Sequence, residues 1–221
     1  MRNISLLLSR LLEGFMHILA PKDPLVLSIE KMSPAVFREE ALKSPRHIEI
    51  EGTMSLFSYR ANVVRKSLVE LKSSRNEKIS QLIGALLYEG MKAELPDLEM
   101  FYGFSSPLLV PIPITKKKQK ERGFNQCELI LGSFKDSPAL FEIRFDILKK
   151  IRETKDQVGK TREERIKNQR GCFLVPDPSL VKNRGVIVFD DIVTTGATLF
   201  EAKRVLQKAG ARHIVCISFA H

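Results

Sequence analysis

Apolar side chains recur along the chain with two periods, and the two alternate toward the C-terminus. Leu7, Leu8, Leu11, Leu12, Phe15, Ile18 and Leu19 fall at helical spacing, which predicts an amphipathic helix over residues 1–20. Residues 21–50 are expected to be irregular, because Pro21, Pro24, Pro34 and Pro45 interrupt any long element. Between about Asn62 and Lys92, one stripe (Val63, Val64, Leu68, Val69, Leu71) and a second (Ile79, Leu82, Ile83, Leu86, Leu87) predict two amphipathic helices, parted by a Ser-Ser-Arg-Asn-Glu stretch. The short run Leu108, Leu109, Val110, Ile112, closed by Pro113, reads as a buried strand entering a loop. Asn125 is placed to cap a helix carrying Leu129, Ile130 and Leu131. Phe141 to Leu148 is expected to supply another strand, 149–171 a charged loop with a short helix, and Cys172 to Val175 an extended piece. Gly185 to Phe189, Ala197 to Ala209 and His213 to Phe219 then read as strand, helix and strand. That βαβ order predicts a parallel sheet and an α/β fold.

Composition narrows this little. The chain has 221 residues, 43% hydrophobic and 28% charged, as a soluble globular domain would. No apolar stretch approaches the roughly 18 residues that span a bilayer, so no transmembrane segment is expected. Arg10 and Glu13 break the N-terminal apolar run, which argues against a signal peptide, although a helix lying on a membrane surface is an alternative to one packed on the protein. Cys127, Cys172 and Cys216 lie far apart without a CxxC pair. They predict reduced, buried thiols, no disulfide framework and no zinc site, in a cytoplasmic protein.

Charge changes the picture more. The formal net charge is +10. Nearly all of the excess sits in two tracts: five cations against one acid from Lys116 to Arg122, and nine against four from Lys149 to Arg170. A charge run is ordinarily a solvated face, but these two bracket the segment that carries the chemistry, and they suggest a polyanionic partner such as single-stranded DNA.

That segment is Val186 to Ala209, VIVFDDIVTTGATLFEAKRVLQKA. Val186 to Phe189 has the apolar continuity of a central parallel strand buried on both faces. Asp190 and Asp191 follow at its carboxyl end, where open α/β sheets bind ligands. Burying both acids without partners would be expensive. At the rim they can accept hydrogen bonds from a vicinal diol, directly or around Mg2+, so they are the expected metal ligands. Val193, Thr194, Thr195, Gly196, Ala197 and Thr198 then form a loop of donors at a helix start, suited to a phosphate monoester. Diol acceptors beside a phosphate cradle describe the two ends of a ribose 5-phosphate. A plain capped helix after a strand explains one threonine and the glycine, not two acids abutting them. An aspartyl-phosphate enzyme is disfavoured, since little chain follows Asp191 to supply its further acids and lysine.

The stretch resembles the phosphoribosyl pyrophosphate (PRPP) motif of type I phosphoribosyltransferases. More of the chain is similar to one branch, the ComF family. The similarity runs through PIPITKKKQKERGFNQCELI, above all Arg122–Gln126, and through LKKIRETKDQVGKTREERIKNQRGCF, at Arg152, Thr154, Gln157, Arg165, Asn168 and Phe173. A looser match is SLFSYRANVVRKSLVELK. The resemblance covers about residues 55–221.

The resemblance implies a type I phosphoribosyltransferase fold, a twisted, mainly parallel sheet flanked by helices. It assigns the ribose hydroxyls to Asp190 and Asp191, the 5′-phosphate to Thr194–Thr198, and pyrophosphate to the loop around Pro113, Thr115 and Lys116. Residues 150–171 would close over the site. Lys116, with Arg122 and Arg152 behind it, is the expected cation on the leaving group. ComF proteins are linked to natural transformation, which implies partners in DNA uptake, and the chain is compatible with a homo-oligomer. They commonly carry an N-terminal cysteine-rich zinc ribbon, whereas the corresponding PKDPLVL has no cysteine. Residues 1–54 are accordingly expected to be a metal-free appendage before a transferase-like domain at 55–221. The alternative to an active transferase is a non-catalytic, PRPP-sensing protein that binds single-stranded DNA.

Overall fold

The structure is a computed structural model that describes residues 22–45, 52–104, 106–134, 140–154 and 161–221. The helix expected over residues 1–20 and the position of Gln157 lie outside the described residues.

Five strands form one parallel sheet in the order β1 (Thr53–Phe57), β7 (His213–Ala220), β6 (Gly185–Ile192), β2 (Leu108–Pro111), β3 (Glu142–Ile143). β6 sits in the middle, pairing Leu108 to Pro111 on one side and His213 to Ala220 on the other. Its side chains alternate between two apolar layers. Ile187 and Phe189 join a cluster that includes the long helix α4 (Glu77–Tyr102) and α6 (Gln126–Gly132). Val186 and Val188 join a second cluster under α8 (Ala197–Lys208). Helices thus cover both faces, which is why β6 reads as an unbroken apolar run. A small antiparallel pair, β4 (Lys149–Lys150) with β5 (Phe173–Leu174), stands apart from the sheet.

The expected pair of helices is present as α3 (Asn62–Ser73) and α4, separated at Ser74–Asn76. α4 continues past Lys92 through Pro96, with Met91 and Leu98 extending its buried stripe, and ends where Gly103 turns left-handed at φ 63°. Asn76 caps its start through Oδ1, while its Nδ2 donates to Glu30 at 2.7 Å. α4 also approaches α6 closely: a Cβ on Gly84 would run into Ser133 Oγ and stand 3.0 Å from the Ile130 carbonyl oxygen.

Two expectations need correction. Residues 21–50 are not simply irregular, because α1 (Pro24–Ile29) and α2 (Pro34–Leu42) form there. Each proline occupies the first turn behind a side-chain cap, Asp23 or Ser33, where a missing N–H costs nothing. Val26, Ile29 and Phe37 are buried in the same cluster as Phe57 and Phe219, and Phe37 packs edge-on against Phe57 with ring centroids 6.1 Å apart. β1 itself runs through residues 54 and 55. The basic tract, to which the sequence assigned no element, forms α5 (Lys116–Arg122), capped by Thr115. Finally, Phe141 to Leu148 supplies only the two-residue β3. The expected short helix in the charged stretch is α7 (Arg162–Gln169), closed by a capping box between Thr161 and Glu164.

Candidate active site at the carboxyl end of β6

Asp190 and Asp191 end the central strand. Asp191 is buried and well partnered. Its Oδ1 accepts the amide of Ile192 at 2.9 Å, and its Oδ2 accepts the side-chain amide of Gln126 at 3.2 Å. Lys72 of α3 brings its ammonium within 3.7 Å of the same oxygen. Asp190 is poorer in cationic company. Its Oδ1 accepts the Asp191 amide at 3.0 Å and the Cys127 thiol at 3.7 Å. Burial, and then the neighbouring Asp191 charge, push its carboxyl up to about 8. The Cys127 thiol is itself pushed well above its ordinary range, first by burial and then by the two acids.

The ligand atoms of Cys127, Asp190 and Asp191 lie within 4.8 Å of one another. The two carboxyl groups offer oxygen donors of the kind that suits Mg2+ or Mn2+.

Beyond the acids the chain turns into a small cup lined by Asp190 and residues 192–199. Gly196 takes φ 75° at the N-cap of α8, a conformation that side chains resist. As N-cap, Gly196 has no side chain to offer this helix. The first amides of α8 stand beside the cup, at the positive end of the helix dipole. Thr194 is exposed, and Thr195 and Thr198 are half-buried around it. Val193 differs from its neighbours: its side chain is buried in the α8 cluster and its amide donates to the Ala220 carbonyl at 2.9 Å.

The remaining expected residues stand elsewhere. Thr115 is buried and engaged, its hydroxyl capping Lys118 and lying 3.3 Å from Glu153 Oε1. Lys116 is exposed in a groove between α5 and β4, alongside Lys149, Lys150 and Phe145. The Arg152 guanidinium donates to the carbonyls of Asn168 and Arg170, at 2.9 and 2.8 Å, and so closes the end of α7. Arg122 donates to Gln126 Oε1 at 3.0 Å. Sequence reasoning gave no role to Gln126, Cys127, Lys72 or Lys150. The first three reach the acids. Lys150 lies over the Phe173 ring, 5.4 Å from its centroid, and burial lowers its pKa. Gln126 and Lys72 fall in the stretches that resemble the ComF family, which was the available signal.

Residues 133–221 match the model of the phosphoribosyl transferase domain. Competence protein F of Haemophilus influenzae is 32% identical over 110 residues, 48% of this chain and 46% of that protein. Competence protein ComFC of Streptococcus pneumoniae is 34% identical over 109 residues, 49% of this chain and 46% of that protein. The matched part thus spans about half of this chain and of those relatives. A phosphoribosyltransferase from Corynebacterium diphtheriae is a loose structural neighbour, 14% identical with a TM-score of 0.34 over 86% of this chain and 80% of that one. The parallel sheet flanked by helices, with acids and a glycine turn after its central strand, is the architecture of the type I phosphoribosyltransferase fold. The chain is distantly similar to competence proteins of the ComF type. Among the described residues, no helix is long and apolar enough to cross a membrane.

Proposed function

We propose that this protein binds PRPP with Mg2+ at the end of β6 and acts as a phosphoribosyltransferase, in a process that handles DNA. The observation that carries the reading is the pairing of two rim acids with an uncapped helix start only a few residues on. Asp190 and Asp191 would accept the ribose hydroxyls and hold the cation, and the amides of the 194–198 turn would take the 5′-phosphate. When bound, Mg2+ would supply positive charge to the pyrophosphate leaving group. Gln126 and Lys72 hold Asp191 in place from α6 and α3. The Lys116 groove offers exposed cations for the pyrophosphate, with the half-buried Lys150 beneath them. Displacement at ribose C1 passes through a cationic, oxocarbenium-like state, which the two carboxylates would stabilise.

The exposed cations of α5 also support the non-catalytic alternative, a PRPP-binding accessory protein that contacts single-stranded DNA. The similarity to competence proteins favours a role beside DNA without choosing between the two.

Thermal unfolding with PRPP and Mg2+ tests the shared part. PRPP with Mg2+ should raise the melting temperature. Asp190→Asn with Asp191→Asn should abolish that rise, since losing two charge-assisted bonds weakens binding roughly a hundredfold or more. An unchanged rise in the double variant defeats the site assignment. Pyrophosphate release with candidate acceptors then separates turnover from binding alone.

A further inference from the structure

A second concave site lies at the opposite end of the sheet. Asp190 and Asp191 close β6 at its carboxyl end, whereas this pocket opens at the amino ends of β1 and β7, between α8 and the last turns of α4. Its volume is about 520 Å³, within the range of small-molecule sites.

Its chemistry is one-sided. Lys203 and Gln207 reach it from α8, Arg212 and His213 from the start of β7, and Tyr102 from the end of α4. No Asp or Glu among the described residues lines it. Lys203 and Arg212 form no ion pair with any described residue, unlike Lys72, Lys117, Arg144, Arg184 and Arg204, which all face acids. The Lys203 ammonium lies beside the start of β1: a Cβ on Gly52 would stand 3.9 Å from its Nζ. Unneutralised cations around a concave, partly apolar wall focus a positive potential that attracts an anion.

The other wall sets the shape of that anion. Tyr102 is partly exposed, at 44%, and its ring is already packed by His213 and Phe104 at centroid distances of 5.6 and 5.9 Å. A ring fixed in this way offers a preformed surface to a flat ligand. Met54 and Leu98 complete an apolar patch beside it.

We propose that this pocket is a second ligand site, which takes a phosphate monoester of mononucleotide size, its phosphate held by Lys203 and Arg212 and its ring laid against Tyr102. The site is separate from the rim of β6 and does not depend on PRPP binding there.

Calorimetric titration of the full chain with AMP, GMP, CMP and UMP, and with inorganic phosphate, tests this. At least one nucleotide should bind the wild type, and a binding event should persist after Asp190→Asn with Asp191→Asn, which removes the rim site and any ribose phosphate held there. Lys203→Ala with Arg212→Ala should weaken it, by roughly tenfold to a hundredfold for each cation lost. Gln207→Glu, which adds a carboxylate to the wall without removing a contact of the core, should weaken it as well. Melting temperatures of the ligand-free variants check that each is folded. The proposal fails if no nucleotide binds, or if inorganic phosphate binds as tightly as the nucleotides. It also fails if the rim variant loses binding while the Lys203/Arg212 variant keeps it.

Discussion

The side-chain amide of Gln126 donates to Asp191 Oδ2 at 3.2 Å, and its carbonyl accepts from Arg122. The motif at Arg122–Gln126 therefore serves the acids directly: a guanidinium at the end of α5 orients an amide at the start of α6, which orients a carboxylate at the end of β6. Gln126→Leu keeps the volume and removes the donor. In the PRPP-binding reading it should weaken binding by about three- to tenfold, seen as a smaller ligand-induced rise in melting temperature. A full rise in this variant would show that Asp191 needs no such orientation.

Asp190 makes the metal-free protein sensitive to pH in an unusual direction. Its carboxyl is raised from an ordinary 3.8 to about 8 in the folded state, so the native protein binds a proton that the unfolded chain has lost. That contribution is fully present below about pH 4 and is lost as the pH climbs toward 8. Chemical denaturation in EDTA should show stability falling across this window. Asp190→Asn should flatten the fall, and a slope unaltered by the substitution would place the titration elsewhere.

Arg152 spends its guanidinium on two carbonyls at the end of α7. Arg152→Ala should lower stability by about 1 kcal/mol, because the group is exposed and water replaces it in part. Arg152→Lys should not restore the loss, since an ammonium lacks the planar fork. Thermal melts of both variants, with PRPP affinity measured alongside, decide between this tie and the leaving-group role expected from sequence. Intact stability with lost PRPP affinity would favour the latter.

Gly84 lets α4 and α6 approach, and α6 carries Gln126 and Cys127. Gly84→Ala would press its methyl against Ser133 Oγ and the Ile130 carbonyl. A cost of about 1–3 kcal/mol is expected, because a backbone carbonyl cannot swing aside as a side chain can. Denaturant unfolding measures it directly. No loss would mean that the helices separate at little cost.

What the sequence disclosed and what it hid divide along physical lines. β6, α8 and β7 were legible because strand, turn and helix follow one another within some thirty-five residues, and each has its own period or breaker. The acids and the 194–198 turn came with them. α3 and α4 were legible from their apolar stripes. α1 and α2 are not, because in the sequence a proline that starts a helix, as behind Asp23 and Ser33, looks the same as one that breaks it. α5 was missed because seven polar residues have no apolar face to reveal a helix. The partners of Asp191 were hidden for another reason: Gln126 lies 65 residues away in the chain, and only the sheet order brings it and Lys72 to the rim.

The bare start of α8 has a last consequence. Most helices carry their own terminating side chain, as α4, α5, α6 and α7 do here through Asn76, Thr115, Asn125 and Thr161. α3, behind Ala61, and α8, behind Gly196, have none, and in the PRPP-binding reading the position at α8 falls to the ligand. A bound phosphate would be the missing residue of the helix. Amide hydrogen exchange in that first turn should then slow on occupancy, so α8 itself would register whether the site is filled.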